Sequence, residues 1–221
     1  MLRFARNDEG KTMLILIYLY DGVTALDAVG PYESLSRLPG VEIRFVGRRA
    51  GPVRTGDGAL ALNADTGIND EIAADMLIVP GGRRAGVQRE MGEERVLGWM
   101  AVLDTVTTRT CSVCTGSILL GAAGLLEGRR ASTHWGARDY LGHFGATYSA
   151  ERVTEDGKYL TSAGVSAGID LGLTLCAEIA GREMAEAVQL SMEYDPKPPF
   201  DAGNFRDATP ERLAMVAKLD I

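Results

Sequence analysis

Histidine is scarce in this sequence, with only His134 and His143 among 221 residues. Sites that need several imidazoles, such as a His-rich zinc site or a di-iron cage, are nearly excluded by that count. Cysteine is also scarce, and an odd number, three, fits a reducing compartment better than a disulfide scaffold. Cys111 and Cys114 form a C-x-x-C pair, but zinc would require a second ligand pair, which neither Cys176 nor the histidines supply. We therefore expect no metal site.

The sequence has neither an excess of basic residues nor an apolar run long enough to span a membrane. Its 23 basic and 30 acidic residues give a net charge of −7, which argues against a general nucleic-acid binder. The longest apolar run, 13–20, has the length of a strand, whereas a membrane helix needs about 18 residues. The polar leader 1–11 is expected to be flexible and lacks a signal-peptide core. These absences predict a cytoplasmic protein that binds neither nucleic acid nor membrane.

Apolar segments of strand length alternate with helical segments along the chain. The predicted strands are 13–20, 42–46, 76–79, 107–113 and 130–133, and hairpin turns are predicted at Gly56-Asp-Gly and Asp156-Gly. The predicted helices are 24–38 with an interruption near Gly30-Pro31, 93–104, 115–126, 135–144, 166–180 and 183–194. Strands that are apolar throughout are covered on both faces. We therefore predict an α/β fold, with a mainly parallel sheet covered by helices on both faces, and one domain over 12–221.

Cys114 lies where a predicted strand runs directly into a predicted helix. The small residues Thr115, Gly116 and Ser117 follow it and permit the tight turn of a nucleophile elbow. Such a side chain stands at the carboxyl end of the sheet, where open α/β sheets bind ligands. The helix N-terminus favours a thiolate through its free N–H groups and dipole. The alternative is a small buried hydrophobic residue, and the position favours the nucleophile.

Asp27 follows Thr24 by three residues in the loop after the first strand. One interpretation is a capping box, in which Thr24 caps the helix and Asp27 is its acidic third residue. The other places Asp27 beside Cys114, because both follow strands of one sheet, where a carboxylate could hold a water or move a proton. The sequence leaves these two interpretations open.

Two further segments follow predicted strands. The Gly81-Gly82 pair could aim backbone N–H groups at developing negative charge, or it could form a plain tight turn. His134 could act as a general base, or it could start a helix and be held there by a hydrogen bond. His143 lies late in a helix and is expected to be peripheral.

Taken together, these motifs resemble the ThiJ/PfpI superfamily, a group of class I glutamine-amidotransferase-like proteins. The resemblance rests on Cys114-Thr-Gly-Ser, Ser132-Thr-His-Trp, Pro80-Gly-Gly and the run from Ser162 to Asp170, and it spans about 12–195. It implies a flavodoxin-like sandwich with Cys114 strained at a nucleophile elbow. Cys111 departs from the superfamily pattern and could pair with Cys114 on oxidation.

Within that superfamily, the sequence resembles the isocyanide (isonitrile) hydratases. Asp27 stands where many members carry a glutamate, and the segment 194–200 also matches the hydratases. The resemblance implies addition of water to an isocyanide to give an N-substituted formamide, through a thioimidate on the cysteine. It implies no metal or organic cofactor, and it implies a homodimer.

Five residues are assigned roles, four of them from the same resemblance and His134 from its place after a predicted strand. Cys114 would be the nucleophile, Asp27 a proton donor or water-positioning group, and Thr115 an assisting residue through its hydroxyl or backbone N–H. Gly82 and His134 would contribute to substrate binding.

Two alternatives from other functional classes stay open at this stage. One is a stand-alone ligand-sensing domain related to AraC-type regulators, although about twenty residues after Phe200 are too few for a DNA-binding domain. The other is a cysteine-dependent amidase or protease, which requires Cys114 and His134 within hydrogen-bond reach. Glyoxalase- or chaperone-like members are less consistent, because they usually carry the glutamate.

Overall fold

A seven-stranded sheet forms the centre of the molecule. The computed structural model describes residues 12–71 and 73–219, so the predicted flexible leader 1–11 lies outside the described residues. In chain order the strands are β1 (Met13–Tyr18), β2 (Val41–Gly47), β3 (Gly51–Arg54), β4 (Ala61–Ala64), β5 (Thr66–Gly67), β6 (Met76–Val79), β7 (Arg109–Val113), β8 (Arg130–Ala131), β9 (Thr147–Tyr148), β10 (Val153–Asp156) and β11 (Tyr159–Ser162). The order across the sheet is β10-β11-β7-β6-β1-β2-β5, and every neighbouring pair is parallel except β10-β11. The predicted mainly parallel sheet is confirmed.

Helices cover both faces of this sheet, as predicted. They are α1 (Ala25–Leu35), α2 (Arg84–Met91), α3 (Glu94–Asp104), α4 (Gly116–Ala122), α5 (Ala167–Ala180), α6 (Arg182–Ser191) and α7 (Pro210–Val216), with 3₁₀ helices at Trp135–Phe144 and Phe205–Asp207. α1, α5 and α6 pack as one layer, and α2, α3 and α4 pack as the other. Between the layers, Ile15, Leu16 and Ile17 of β1 are fully buried, which explains why this strand is apolar throughout. Within the described ranges, no helix is long and apolar enough to cross a membrane.

The first helix differs from its prediction, because Pro31 does not interrupt it. α1 continues through Pro31 without a break. A proline inside a helix removes one backbone hydrogen bond and costs about 3 kcal/mol. Close packing against α5 offsets this cost, since a Cβ on Gly168 would lie 3.2 Å from Pro31 and one on Gly172 would lie 2.8 Å from Ser34. Tertiary packing, which sequence periodicity does not report, therefore keeps this helix intact.

Two other predicted helices also change form. α4 ends at Ala122 rather than at residue 126, because Gly124 adopts the left-handed conformation with φ +78° and turns the chain. Segment 135–144 keeps its predicted bounds but forms a 3₁₀ helix. Both predicted hairpins are present, as β3-β4 and β10-β11.

The carboxyl ends of four adjacent parallel strands meet at one edge of the sheet. β1 leads into the loop before α1, β6 into Pro80-Gly-Gly, β7 into Cys114 and β11 into the segment before α5. Their ends are level, because Val79 pairs with Ser112 and Val113 pairs with Ser162. This edge is where open α/β sheets bind ligands.

A buried carboxylate fixes α2 beside this edge. Glu90 of α2 is 1% exposed, and it accepts hydrogen bonds from Tyr18 Oη at 2.5 Å and from Arg48 Nη2 at 2.7 Å. Both partners are needed, because a buried carboxylate without them would cost several kcal/mol. Since Tyr18 is the last residue of β1, this network holds α2 against the carboxyl end of the sheet.

Candidate active site

Cys114 occupies the turn between β7 and α4. Its φ of 57° lies in the left-handed region, a conformation that costs a residue other than glycine about 1–3 kcal/mol. Hydrogen bonds hold the turn on both sides. Cys114 N donates to the carbonyl oxygens of Ser162 (3.2 Å) and Ala163 (3.0 Å), and Cys114 O accepts from Thr133 Oγ1 (3.1 Å). The strand–turn–helix geometry predicted for a nucleophile elbow is therefore present, with the cysteine side chain 5% exposed.

Two glycines let the backbone segments around Cys114 approach each other. A Cβ on Gly116 would lie 1.9 Å from Val79 O, so the first turn of α4 touches the end of β6. A Cβ on Gly81 would lie 2.5 Å from both the backbone nitrogen and Oγ1 of Thr115. Real Cβ atoms do not make contacts this short, so both positions require glycine.

Asp27 lies directly against Cys114 and is fully buried. Its carboxyl group interacts electrostatically with the Cys114 thiol, and Oδ2 accepts the Gly81 N–H at 3.0 Å. Oδ1 has no hydrogen-bond partner within the described part of the chain. The Thr24 side chain makes no capping hydrogen bond. Of the two interpretations of Asp27, the structure therefore favours the one that places it beside the cysteine.

The environment shifts the pKa of both groups upward. Burial raises the pKa of the Asp27 carboxyl to about 7, although its hydrogen bonds with Cys114 and Gly81 lower it. Burial also raises the pKa of the Cys114 thiol above its ordinary value, and the charge of Asp27 adds to this effect. The backbone N–H groups of Val165 and Thr115 lower the thiol pKa, which is the direction predicted for a helix N-terminus. The net shift of the thiol pKa is upward, so burial and the N–H groups act on Cys114 in opposite directions.

Thr115 connects the elbow to the loop after β6. Its Oγ1 accepts the Gly82 N–H at 3.0 Å, and its own backbone N–H is hydrogen-bonded with the Cys114 sulfur. One interpretation of the sequence was that the Gly82 N–H points at developing negative charge on a substrate. In this structure that N–H donates a hydrogen bond to Thr115 instead. The Gly81 N–H is engaged by Asp27 in the same way. The glycine loop therefore positions the two side chains that flank the cysteine.

His134 is half-buried at the start of the 3₁₀ helix Trp135–Phe144. Its Nδ1 accepts the Gly136 N–H at 3.2 Å, which leaves Nε2 as the protonated nitrogen of a neutral imidazole. Burial lowers the pKa of His134, so the ring is a neutral donor. His143 is exposed, as predicted.

The other two cysteines are core residues, as predicted. Cys111 is fully buried in β7, and Cys176 is fully buried in α5, where its Sγ donates to Ser34 O at 3.5 Å. All three cysteines are free. Among the described residues, no cluster of three histidine, cysteine, aspartate or glutamate side chains could hold a metal ion.

A cavity of about 440 Å³ opens beside the elbow. Thr115, Gly82 and His134 line it at the end near Cys114, and the remainder is lined by residues of α2, α4, the 3₁₀ helix Trp135–Phe144, α7 and the residues that follow α7. Three of the five predicted site residues therefore face one cavity. Cys114 and Asp27 form a buried pair directly behind them.

A model of the DJ-1/PfpI family matches residues 13–178. The chain belongs to the DJ-1/PfpI family. An isonitrile hydratase from Pseudomonas putida is 43% identical over 200 residues, which cover 90% of this chain and 86% of the hydratase. The HTH-type transcriptional regulator CdhR from Pseudomonas aeruginosa is 34% identical over 149 residues, which cover 65% of this chain and 42% of the regulator.

A solved structure supports the same assignment. The crystal structure of a ThiJ/PfpI family protein from Pseudomonas syringae superposes with a TM-score of 0.89 at 36% identity, and the match covers 97% of this chain and 93% of that chain. The flavodoxin-like sandwich implied by the resemblance is thereby confirmed for this DJ-1/PfpI family member.

Sequence reasoning missed several groups of this DJ-1/PfpI site. The Val165 N–H contacts the Cys114 sulfur, although Val165 belongs to a segment with no chemical signature. The motif Pro80-Gly-Gly gave no means to tell which glycine bonds Asp27. The wall contributed by α7 was also missed, because a helix of seven residues is too short to give a clear periodic signal.

Proposed function

We propose that this protein is an isocyanide hydratase, which adds water to an isocyanide to give an N-substituted formamide. The observation that carries the proposal is the buried pair of Cys114 and Asp27, in which each group shifts the pKa of the other. The 43% identity to an isonitrile hydratase over most of both chains supports the same reaction. An isocyanide presents an unsubstituted terminal carbon, so its reactive end is narrow enough for a thiol that is 5% exposed.

In the first half-reaction, Cys114 Sγ forms a bond to the isocyanide carbon. The thiol proton passes to the Asp27 carboxylate, and Asp27 delivers a proton to that same carbon. The product is a thioimidate on Cys114, and the total number of protons is unchanged. A carboxyl group with a pKa of about 7 suits both transfers, because it accepts and releases a proton near neutral pH.

In the second half-reaction, Asp27 takes a proton from water while the water oxygen attacks the thioimidate carbon. The carbon–sulfur bond breaks, the nitrogen and the sulfur each end with one proton of the water, and the formamide leaves. Asp27 Oδ1, which has no partner among the described residues, is the oxygen available to hold this water. No cofactor is required, because the reaction changes no oxidation state overall.

Three residues of the cavity support this chemistry in our proposal. Thr115 holds the cysteine loop in place through Gly82 and directs its backbone N–H at the sulfur. Gly82 forms part of the surface that the substrate contacts. His134, with a protonated Nε2, serves as a donor to substrate or water in the cavity.

The amidase and sensor alternatives are less well supported. A Cys-His dyad requires an imidazole nitrogen that accepts the thiol proton, whereas Nδ1 of His134 already accepts the Gly136 N–H. The similarity to CdhR involves less than half of that regulator, whereas the similarity to the hydratase involves most of its length.

The direct test of the proposed function is product formation by the purified protein. We expect cyclohexyl isocyanide to be converted to N-cyclohexylformamide, detected by proton NMR, at a rate well above that of protein-free buffer. The absence of formamide from a panel of alkyl and aryl isocyanides, with protein whose thiols are fully reduced, would refute the proposal.

We further propose that the protein acts in the cytoplasm as a homodimer. The family resemblance supports the dimer, and three free cysteines, two of them wholly buried, are consistent with a reducing compartment. Light scattering is expected to give a solution mass twice the 23.6 kDa of the chain. A mass equal to that of one chain would contradict the dimer.

A further inference from the structure

The cavity beside the elbow has a mainly apolar lining. Its volume of about 440 Å³ lies in the range of small-molecule sites. The apolar side chains that line it are Val87, Met91, Ile118, Trp135, Leu213 and Val216. Thr115, at the end nearest Cys114, is one of the few polar groups. A molecule that reacts at Cys114 would therefore place an apolar portion in this space.

One wall of the cavity comes from α7, which is distant in sequence from the elbow. Leu213 and Val216 of α7 face the cavity, whereas Met215 between them is 65% exposed. The Thr209 side chain caps the helix by accepting the Arg212 N–H at 3.3 Å, and Pro210 occupies the first turn. These residue types are typical of a defined helix start. α7 is therefore a capped helix, and its residues Leu213 and Val216 line the cavity.

An aromatic stack fixes the segment that leads into α7. The Phe205 ring stacks on Trp135 with centroids 5.8 Å apart and planes 11° apart. The Arg138 guanidinium lies 5.4 Å from the centroid of the same ring, on the 3₁₀ helix that carries Trp135. Arg206 Nη2 donates to Ala150 O at 3.0 Å. The segment before α7 is therefore attached to the wall that carries His134 and Trp135.

We infer that Leu213 and Val216 of α7 determine which isocyanides the enzyme accepts, by contacting the substituent on the isocyanide nitrogen. This inference rests on the proposed hydratase function. The reactive carbon is the same in every isocyanide, so selection must act on the substituent. The apolar lining favours branched alkyl, cyclic and aryl substituents, because their burial removes apolar surface from water. Methyl isocyanide carries the smallest alkyl substituent, so its turnover should depend least on α7.

The test compares two phenylalanine substitutions at adjacent positions of the same helix. Val216→Phe places a larger side chain in the cavity, and Met215→Phe places the same side chain on the exposed face. For Val216→Phe, we expect kcat/KM with cyclohexyl isocyanide to fall at least about tenfold. Its kcat/KM with methyl isocyanide should fall by a smaller factor, whereas both values for Met215→Phe should stay within about twofold of wild type.

A binding measurement separates failure of this inference from failure of the proposed function. N-cyclohexylformamide is titrated against tryptophan fluorescence, since Trp135 lines the cavity. Weaker binding of the formamide to Val216→Phe than to Met215→Phe would support a contact between α7 and the substituent, even if no isocyanide is hydrated. Equal effects of Val216→Phe on both isocyanides, or equal formamide binding by the two variants, would overturn the inference while leaving hydratase activity intact.

Discussion

Replacement of Cys114 by alanine is expected to lower isocyanide turnover at least about 10³-fold, to the rate of protein-free buffer. Alanine keeps the backbone at the elbow but removes the only atom that forms the covalent intermediate. Initial rates of formamide production, followed by proton NMR, measure the effect. Wild-type protein quenched with acid during turnover should gain the mass of one isocyanide, and the variant should gain none.

Two other cysteines of the chain provide matched controls. Cys111 and Cys176 are fully buried in β7 and α5 and have no place in the proposed reaction. Cys111→Ala and Cys176→Ala should keep turnover within about twofold of wild type, although each loses about 1 kcal/mol of stability with its buried sulfur. Full activity of Cys114→Ala, or loss of activity in a folded Cys111→Ala, would contradict the assignment of the nucleophile.

The substitution Asp27→Asn is expected to lower kcat/KM at least about 100-fold at pH 8, because asparagine cannot move a proton. The side-chain oxygen of asparagine can still accept the Gly81 N–H, so the loop after β6 should remain in place. The substitution should also remove the dependence of kcat/KM on pH that the ionisation of Asp27 causes in the wild type. The proposed reaction starts from an ionised Asp27 and a protonated thiol, so wild-type kcat/KM should rise as pH passes from below to above about 7.

Stability should change in the opposite direction over the same pH range. The pKa of Asp27 is raised to about 7 in the folded protein, whereas an unfolded aspartate has a pKa of about 3.9. Folded protein therefore holds the proton between these values, and the stability from this site is complete below about pH 4 and is lost as pH rises through about 7. The loss is on the order of 2–4 kcal/mol. The Asp27→Asn variant has no ionisable group at this position, so it should not show this loss of stability.

Melting temperatures of wild type and Asp27→Asn at pH 5 and pH 8 measure this difference. We expect the melting temperature of the variant to rise relative to that of the wild type when the pH is changed from 5 to 8. If Asp27 were instead only the acidic third residue of a capping box, the variant would be less stable than wild type at both values, by about 0.3–1 kcal/mol, with turnover intact. That outcome would remove Asp27 from the reaction.

The sequence was sufficient to predict the sheet and the elbow, because both depend on local patterns. Apolar strands such as β1 and β6 were recognisable from composition, and Cys114 from its place between a strand and small residues. Asp27 could be nominated from the loop after β1, since parallel strands bring their carboxyl ends together. These inferences need only the direction and order of the strands.

The remaining features depend on distances between segments that are far apart in the chain. Continuity of α1 through Pro31 depends on α5, and the Asp27 interaction depends on Gly81 rather than Gly82. The raised pKa of the Cys114 thiol reflects burial, which opposes the lowering effect of the N–H groups around the sulfur. Side-chain burial and loop contact follow from the packed structure, so no local pattern reports them.

The left-handed backbone at Cys114 implies that stability and activity oppose each other at this position. Glycine adopts that conformation without steric cost, so a Cys114→Gly chain would relieve strain in the elbow while losing its nucleophile. Selection for a more robust fold alone would therefore remove the cysteine, and only selection for turnover would keep it. Engineering for thermostability should leave this residue fixed and seek gains at positions remote from the elbow.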